Sequence, residues 1–513
     1  MEKYTWQSEC IAKWKTSGRI GIVSAATGTG KTLMALSAAA EQDNLCGGEL
    51  FIRIVVPQRA LLMQWKEAVL SSGFREQDIG LVSSLYSCPK SRKIIIYVIN
   101  SARQVLAIDI LDLFKDGRNV MLIADEMHHY ISKENSRIFD FTLTDLFREV
   151  REKQYCAMGL SATVNRNLLP EKAGVALGEI IYAYSVSCAV DDKVITPFCI
   201  YNIAIRLETG EVHLYEELSD KITKAMAQLF TLYRNVMKDP GMSLQEKLAT
   251  IRRYDSYDED LLDNFMKLIL LRRAVIKKAD KRLNCLLALI EQLEPLKPTI
   301  IFTEFIEQAE DVFSCLSGRL SVPVVLYHSR MGKTERNAAL GAFRDGSAGV
   351  LVACKALDEG IDVPGAQTGI FLSNTEGERQ RIQRAGRILR RSNGKSIANL
   401  YYLFADGTIE SPEFLADYPT QTTVLNALYT GDEFITSEYS DLYRKIRHQV
   451  SSKANKSQLS ALDNAYRKGM MRFDFLLPPK EIENNIRTAD ETSLRNYWIL
   501  MRQMKTINTP ALL

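Results

Sequence analysis

Long apolar runs, paired cysteines and an excess of one charge sign are all absent from this sequence of 513 residues. No stretch of about 18 apolar residues occurs, which excludes a transmembrane helix. The nine cysteines are scattered and form no CxxC pair, so neither a zinc site nor a redox dithiol is indicated. The formal net charge is only +3, and such a balance cannot by itself identify a polyanionic partner.

The composition that remains is that of an ordinary globular protein. Hydrophobic residues make up 46% and charged residues 25%, which excludes a disordered chain and a small disulfide scaffold. The N-terminal sequence MEKYTWQSECIAKWK is charged and amphipathic, unlike a signal peptide. Free thiols without an export signal predict a reducing compartment, and we expect a cytoplasmic protein with no membrane contact.

Two sets of short β-branched runs alternate with polar or helical stretches. The first set is GIVSAA (21–26), IRIVVP (52–57), KIIIYVI (93–99) and VMLIAD (120–125). The second set is TIIFTEF (299–305), VPVVLYH (322–328), AGVLVAC (348–354), TGIFLSN (368–374) and NLYYLFA (399–405). Continuous apolar strands that alternate with helices indicate parallel sheets buried on both faces. The fold class predicted is therefore α/β, with two parallel-sheet domains of similar size.

The segments outside these two sets have helical periodicity. Residues between about 211 and 293 are charged and contain no strand pattern, which predicts a helical insertion packed on the core. We divide the chain at 1–200 for the first domain, 201–294 for the insertion and 295–405 for the second domain. Residues 406–513 have mixed charge and many tyrosines and are predicted to form a helical C-terminal domain.

A phosphate-binding loop is indicated by the pattern A-x-x-x-x-G-K-T between Ala25 and Thr32. A strand precedes it and a helix follows, so backbone amides of Ala26, Thr27, Gly28, Thr29 and Gly30 can surround phosphate oxygens at a helix N-terminus. Lys31 is expected to reach the β- and γ-phosphates, and the Thr32 hydroxyl to ligate Mg²⁺. An accidental glycine-rich turn is the alternative.

An acidic pair follows the strand VMLIAD at the edge where ligands bind in such sheets. Asp125 is expected to hold Mg²⁺, together with Thr32, and Glu126 to polarise the attacking water. The alternative is a capping pair at a strand–helix turn. His128 and His129 do not share a helical face, so a metal pair is not expected.

A basic stripe occupies residues 379–395, which contain seven basic residues and no acidic residue. On a helix Arg379, Gln383, Arg387 and Arg390 lie within about 80° of one another. Guanidinium groups bind phosphate oxygens in a fork, so the stripe suits a polyphosphate. Its competing interpretations are a solvated surface and direct contact with nucleic acid.

These motifs together resemble superfamily 2 helicases of the DExH kind, closest to the XPB-like branch of DNA translocases, over about residues 3–404. The matching segments stand in the family's order: VVPQRALLMQW (55–65) after AATGTGKT, then DEMH (125–128), GLSAT (159–163), TIIFTEF, VACKALDEGIDVP (352–364) and QRAGRILR (383–390). The resemblance implies two RecA-like domains that close on one nucleotide.

The resemblance also implies roles for individual residues. Arg387 and Arg390 match the family's arginine fingers, and Gln383 opens the same motif. Gly360 and Asp362 match residues at the domain interface near the nucleotide. Gln7 matches the glutamine that reads adenine, although an ordinary helix position is an equally good interpretation.

The function expected is ATP- and Mg²⁺-dependent translocation on nucleic acid, coupled to unwinding. The resemblance favours DNA over RNA. One alternative is a duplex translocase that remodels branched DNA or displaces proteins without unwinding, and another is a clamp that uses ATP only as a gate. No nuclease, zinc or methyltransferase motif accompanies the motor, which suggests a protein partner that supplies substrate choice.

Overall fold

The computed structural model describes most of the first 410 residues and short parts of the remainder. The described residues are 3–162, 170–239, 242, 244–254, 256–293, 296–354, 365–373, 378–392, 395, 397–410, 422–431, 434–435, 447, 456, 459–460, 463, 479–489, 492, 495, 498–499 and 501–502. The Gly360 and Asp362 predictions lie outside this part of the chain.

A seven-stranded parallel sheet forms the centre of the first domain. Its strands are β1 (Ile20–Ala25), β2 (Leu50–Val56), β3 (Ile79–Val82), β4 (Ile94–Val98), β5 (Asn119–Ala124), β6 (Tyr155–Ser161) and β7 (Ile180–Tyr184). The strand order is β3-β4-β2-β5-β6-β1-β7, with every pairing parallel. All residues of β4 and β6 are buried, as expected for strands covered on both faces.

Helices cover both faces of this sheet. They are α1 (Thr5–Thr16), α2 (Lys31–Leu45), α3 (Arg59–Ser71), α4 (Ile99–Lys115), α5 (Asp145–Gln154), α6 (Glu171–Leu177) and α7 (Val186–Asp191). Short 3₁₀ helices span Glu76–Asp78, Met127–Tyr130 and Asn135–Leu143. Because each strand is followed by a crossover segment, the carboxyl ends of the strands meet at one edge of the sheet.

The second sheet has eight described strands. They are β8 (Phe198–Ile205), β9 (Thr299–Thr303), β10 (Val324–Tyr327), β11 (Val350–Cys354), β12 (Thr368–Phe371), β13 (Ala398–Ala405), β14 (Thr423–Tyr429) and β15 (Phe434–Ile435). The order is β10-β11-β9-β12-β13-β8-β14-β15, and only the last pairing is antiparallel. The prediction of tandem parallel-sheet domains is confirmed.

The helices of the second half fall into two groups. The insertion contains α8 (Thr209–Leu232), α9 (Arg234–Met237), α10 (Leu244–Ile251) and α11 (Glu259–Lys277). The helices that flank the second sheet are α12 (Asp280–Gln292), α13 (Ile306–Leu316), α14 (Lys333–Arg344) and α15 (Glu378–Leu389). The insertion has a small core of its own, to which Leu229, Ile251 and Phe265 contribute. Helix α16 (Pro479–Thr488) lies in the C-terminal part. Among the described residues no helix could cross a membrane.

Two predicted boundaries differ from the structure. Strand β8 crosses the boundary placed at 200/201 and pairs with β13 over its full length, because FCIYNIAI has the apolar, β-branched pattern of a buried strand. Strands β14 and β15 fall in the segment predicted as purely helical, and β14 extends the sheet from β8. The second domain therefore begins before residue 201 and continues past residue 405.

Candidate nucleotide-binding site

The loop between β1 and α2 has the backbone of a phosphate cradle. Gly28 and Gly30 have φ values of 85° and 90°, which only glycine adopts without strain. The Thr29 hydroxyl donates to the Ala26 carbonyl at 2.7 Å, and this bond closes the loop. Helix α2 begins at Lys31, so its free amides and positive dipole end face the loop interior.

Lys31 lies inside the loop and its ammonium group donates to the Ala25 carbonyl at 2.8 Å. Burial lowers the pKa of Lys31, while the nearby Glu126 and Asp125 carboxylates act to raise it and Arg390 to lower it. Two carboxylates and two cations therefore meet around the loop, and they come from both halves of the chain.

The acidic pair stands at the carboxyl end of β5, beside β2. The Asp125 carboxylate accepts a bond from the indole Nε1–H of Trp65 at 2.7 Å and another from the Glu126 backbone amide at 3.0 Å. Glu126 itself has φ 47° and ψ 50°, a left-handed conformation that non-glycine residues adopt at a cost of about 1–3 kcal/mol. Both residues of the pair line the same cavity.

His128 connects the acidic pair to the end of β6. Its Nδ1 lies 3.1 Å from the Ser161 hydroxyl and 3.4 Å from Oε2 of Glu126. Ser161 is fully buried, and it is the serine of the GLSAT segment. His128 therefore links the acidic pair to the GLSAT segment. The His129 ring lies against it at 4.4 Å between centroids.

Helix α15 packs directly against the phosphate loop. A Cβ built on Gly386 would lie 2.5 Å from Cβ of Thr27, and a Cβ on Gly28 would lie 3.2 Å from Cγ of Arg390. Arg387 is only 6% exposed, which excludes a solvated surface for this residue. Arg384 instead lies over the Phe302 ring at 5.6 Å, so the arginines of this helix point to different places.

The end of α15 is fixed to the segment that joins the two domains. Ile195 forms an antiparallel bridge with Arg390, and the Thr196 amide donates to the Leu389 carbonyl at 2.8 Å. The Arg391 guanidinium donates to the Lys193 carbonyl at 2.8 Å. Arg390 is therefore held by the segment that joins the two domains.

A cavity of about 680 Å³ lies between these elements, within the range of small-molecule sites. Its lining from the first domain comes from the loop, from α2 and α3 and from the acidic pair, and its lining from the second domain is Gln383, Arg387 and Arg390. The hydroxyl oxygen of Thr27 is buried there and has no hydrogen-bond partner among the described residues. A phosphate oxygen bound in the loop could accept a hydrogen bond from this hydroxyl.

The oxygen ligands in this cavity suit Mg²⁺. Asp125 and Thr32 both line it, and carboxylate and hydroxyl oxygens are ligands that Mg²⁺ prefers, with phosphates and water completing its shell. Within the described residues no group of three or more His, Cys, Asp or Glu side chains could hold a metal by itself. The site therefore fits a metal that arrives with a nucleotide.

The structure brings most of the sequence-predicted residues together and sets one apart. Gln7 is fully buried, its amide nitrogen donates to the Gly30 carbonyl at 3.1 Å and its oxygen accepts from the Tyr4 amide at 3.0 Å. It supports the loop and does not line the cavity. Ala26 and Thr29 are buried within the loop.

Helix α3 also lines the cavity, which the sequence did not predict. Cavity-lining residues of this helix recur at helical spacing, and they are Leu61, Gln64, Ala68 and Ser71. Trp65, on the same helix, reaches Asp125. A buried tryptophan needs a partner for its N–H, but the sequence does not say which acceptor it finds.

Each half of the chain matches a known protein family. Residues 1–166 match the family described as type III restriction enzyme, res subunit, and residues 281–392 match the helicase conserved C-terminal domain. Over 417 residues the chain is 26% identical to the DNA 3'-5' translocase XPB2 of Sulfurisphaera tokodaii, which covers 77% of this chain and 80% of the relative. The chain is an ATP-dependent helicase, similar to the XPB-like branch of superfamily 2.

Further comparisons agree with this assignment. The chain is 31% identical to the DNA 3'-5' helicase XPB of Mycobacterium tuberculosis over 118 residues, 23% of this chain and 20% of the relative. The fold is similar to a fragment of a putative HsdR subunit of a type I restriction enzyme from Vibrio vulnificus YJ016, with a TM-score of 0.51, 17% identity and coverage of 85% and 71%. Helicase domains in both halves and the XPB relatives agree on an ATP-dependent enzyme.

Proposed function

We propose that this helicase hydrolyses Mg²⁺-bound ATP between its two domains and uses the cycle to translocate along DNA and unwind it. The observation that carries the proposal is the composition of one cavity, in which a phosphate loop and an acidic pair face Gln383, Arg387 and Arg390 of the other domain. The relatives named as DNA 3'-5' translocase and helicase support DNA as the substrate and 3'-5' as the direction.

Each residue has a distinct task in this proposal. Lys31 and the loop amides bind the phosphates, and Thr32 and Asp125 would hold Mg²⁺, which neutralises charge on the β- and γ-phosphates when bound. Glu126 orients and polarises the attacking water. Arg387 and Arg390 stabilise charge that develops on the transferred phosphoryl group.

Coupling to movement follows from the two-domain cavity. ATP contacts from both sides favour the closed arrangement, and hydrolysis removes part of that preference. A nucleic-acid strand that lies across both domains would be bound by one domain and then by the other. The contacts would be to backbone phosphates and hence without sequence specificity. The nine cysteines are free, which supports an intracellular location, and a protein partner that selects the substrate remains part of the proposal.

The decisive measurement is ATP turnover with single-stranded, duplex and forked DNA and with RNA. We expect stimulation by DNA and strand separation of a fork with a 3' tail. Stimulation by duplex alone, with triplex displacement but no unwinding, would favour the duplex translocase. Tight nucleic-acid binding with no turnover on any of these would contradict a motor and favour the clamp.

A further inference from the structure

Trp65 contacts the carboxylate that is proposed to hold the metal. Its side chain is 1% exposed, it lies on α3, and its indole Nε1–H donates to Oδ2 of Asp125 at 2.7 Å. The other carboxylate oxygen accepts the backbone amide of Glu126 at 3.0 Å. We propose that Trp65 is a positioning residue that fixes the orientation of Asp125 for the metal–nucleotide complex.

The two donors act on different oxygens, and this is what fixes the carboxylate plane. A carboxylate held through one oxygen can rotate about its χ2 angle, whereas donors on both oxygens define that angle. Because the indole is rigid and buried, water does not compete for this hydrogen bond.

The backbone of Asp125 is held independently of its side chain. Its amide donates to the Val55 carbonyl at 2.9 Å, and the Tyr130 hydroxyl lies 2.6 Å from the Asp125 carbonyl and 2.9 Å from that of Val55. Removal of the indole N–H would therefore leave the main chain in place and take one donor from the carboxylate. Loss of such an outer partner of a metal ligand costs about 10–100-fold in metal affinity.

The chain offers a matched control. Trp14 is also fully buried in the first domain, and its Nε1–H donates to the Ala157 carbonyl at 2.9 Å. Trp14→Phe and Trp65→Phe each remove one buried indole hydrogen bond, but only the second bond ends on a proposed metal ligand. A general loss of stability affects both variants alike.

The experiment measures Mn²⁺ binding to the full-length protein with a non-hydrolysable ATP analogue, by electron paramagnetic resonance of free Mn²⁺. We expect Trp65→Phe to weaken Mn²⁺ binding roughly 10-fold, and Trp14→Phe to bind as wild type. Nucleotide affinity without metal should change little in both. If Trp65→Phe does not fold, 3-benzothienylalanine at position 65 keeps the shape and replaces the N–H by sulfur, and the same weakening is expected.

The inference rests on the proposed function, and the outcomes separate the two. Wild-type protein that binds no Mn²⁺–nucleotide complex would contradict the proposed function itself. If wild type binds the complex and Trp65→Phe binds Mn²⁺ with the same affinity, the role of Trp65 would be overturned. An equal loss of Mn²⁺ affinity in Trp14→Phe would overturn it as well.

Discussion

At the scale of single residues, the candidate site consists of charges that are placed by backbone geometry. Glu126 stands in a left-handed turn, and the two adjacent acids have different neighbours: Trp65 contacts the Asp125 carboxylate and His128 lies near that of Glu126. Lys31 is half-buried and close to both acids. Its ammonium group is held by loop carbonyls, a position from which a phosphate can attract it.

Lys31→Ala removes the cation that is expected to meet the β- and γ-phosphates. We expect turnover to fall to background, because no other lysine lines the cavity within the described residues. ATP hydrolysis by the purified variant, with its folding checked by circular dichroism, provides the measurement. Normal turnover in this variant would contradict the assignment of the loop.

Glu126→Gln should separate nucleotide binding from hydrolysis. The amide keeps the size of the side chain but cannot act as a base toward water, and Asp125 is unchanged. We expect ATP affinity near that of wild type, turnover lower by about 10²–10⁴-fold and a longer-lived complex with nucleic acid. Loss of ATP binding would show that Glu126 has a structural role.

At the scale of elements, helix α15 and the phosphate loop fit because both carry glycine where they meet. Gly386 lies against Thr27, and Gly28 lies against the Gly386 carbonyl and Arg390. The sequence GTGKT is therefore constrained from two sides, by the phosphate cradle and by the helix of the other domain.

Gly386→Ala should separate these two elements. The added Cβ would lie 2.5 Å from Cβ of Thr27, so the helix must shift, and a shift near 1 Å can cost about 10²-fold in rate. Gly341→Ala is the control, because no atom lies within 4 Å of its added Cβ on α14. We expect the control to keep full turnover, and steady-state ATPase assays compare the two. Equal turnover in both would refute the close contact.

Lys395 binds the carboxyl end of α15. Its ammonium group lies 2.6 Å from the Ala366 carbonyl and 3.1 Å from the Arg390 carbonyl, and it also contacts the Ile388 carbonyl. Burial lowers the pKa of Lys395 to about 7, against about 10.4 in an unfolded chain. Between these values the unfolded chain holds a proton that the folded chain has released, so stability should rise with pH.

Lys395→Met should remove this pH dependence. We expect the Tm of wild type relative to the variant to increase from pH 7 to pH 9, because the cost of burying a charge is largest below the folded-state pKa. Thermal unfolding at several pH values measures the difference. Lys13→Met, at an exposed position on α1, should give curves parallel to wild type, and parallel curves for Lys395→Met would refute the expectation.

At the scale of the whole molecule, the two domains are joined by a packed interface. One cluster of buried residues includes members of both sheets, among them Ile52 and Met158 of the first and Phe302 and Tyr402 of the second. The cavity is therefore formed by both domains, and residues far apart in sequence line it.

Arg387→Ala tests whether both domains act on one nucleotide. We expect turnover to fall by about 10³–10⁵-fold, as for other arginine fingers, with a much smaller change in ATP affinity. Nucleic-acid binding without nucleotide should be nearly preserved. If the basic stripe instead binds nucleic acid directly, the same variant would bind it more weakly with a smaller salt dependence and keep its basal ATPase.

The sequence by itself determined the two sheets, the loop from Ala25 to Thr32 and the acidic pair, because strand pattern and glycine requirements are local. It did not determine that Gln7 supports the loop, that Trp65 bonds to Asp125 or that β8 and β14 complete the second sheet. These depend on which surfaces meet after folding: a buried donor or strand edge must find a partner, and only tertiary structure decides which one.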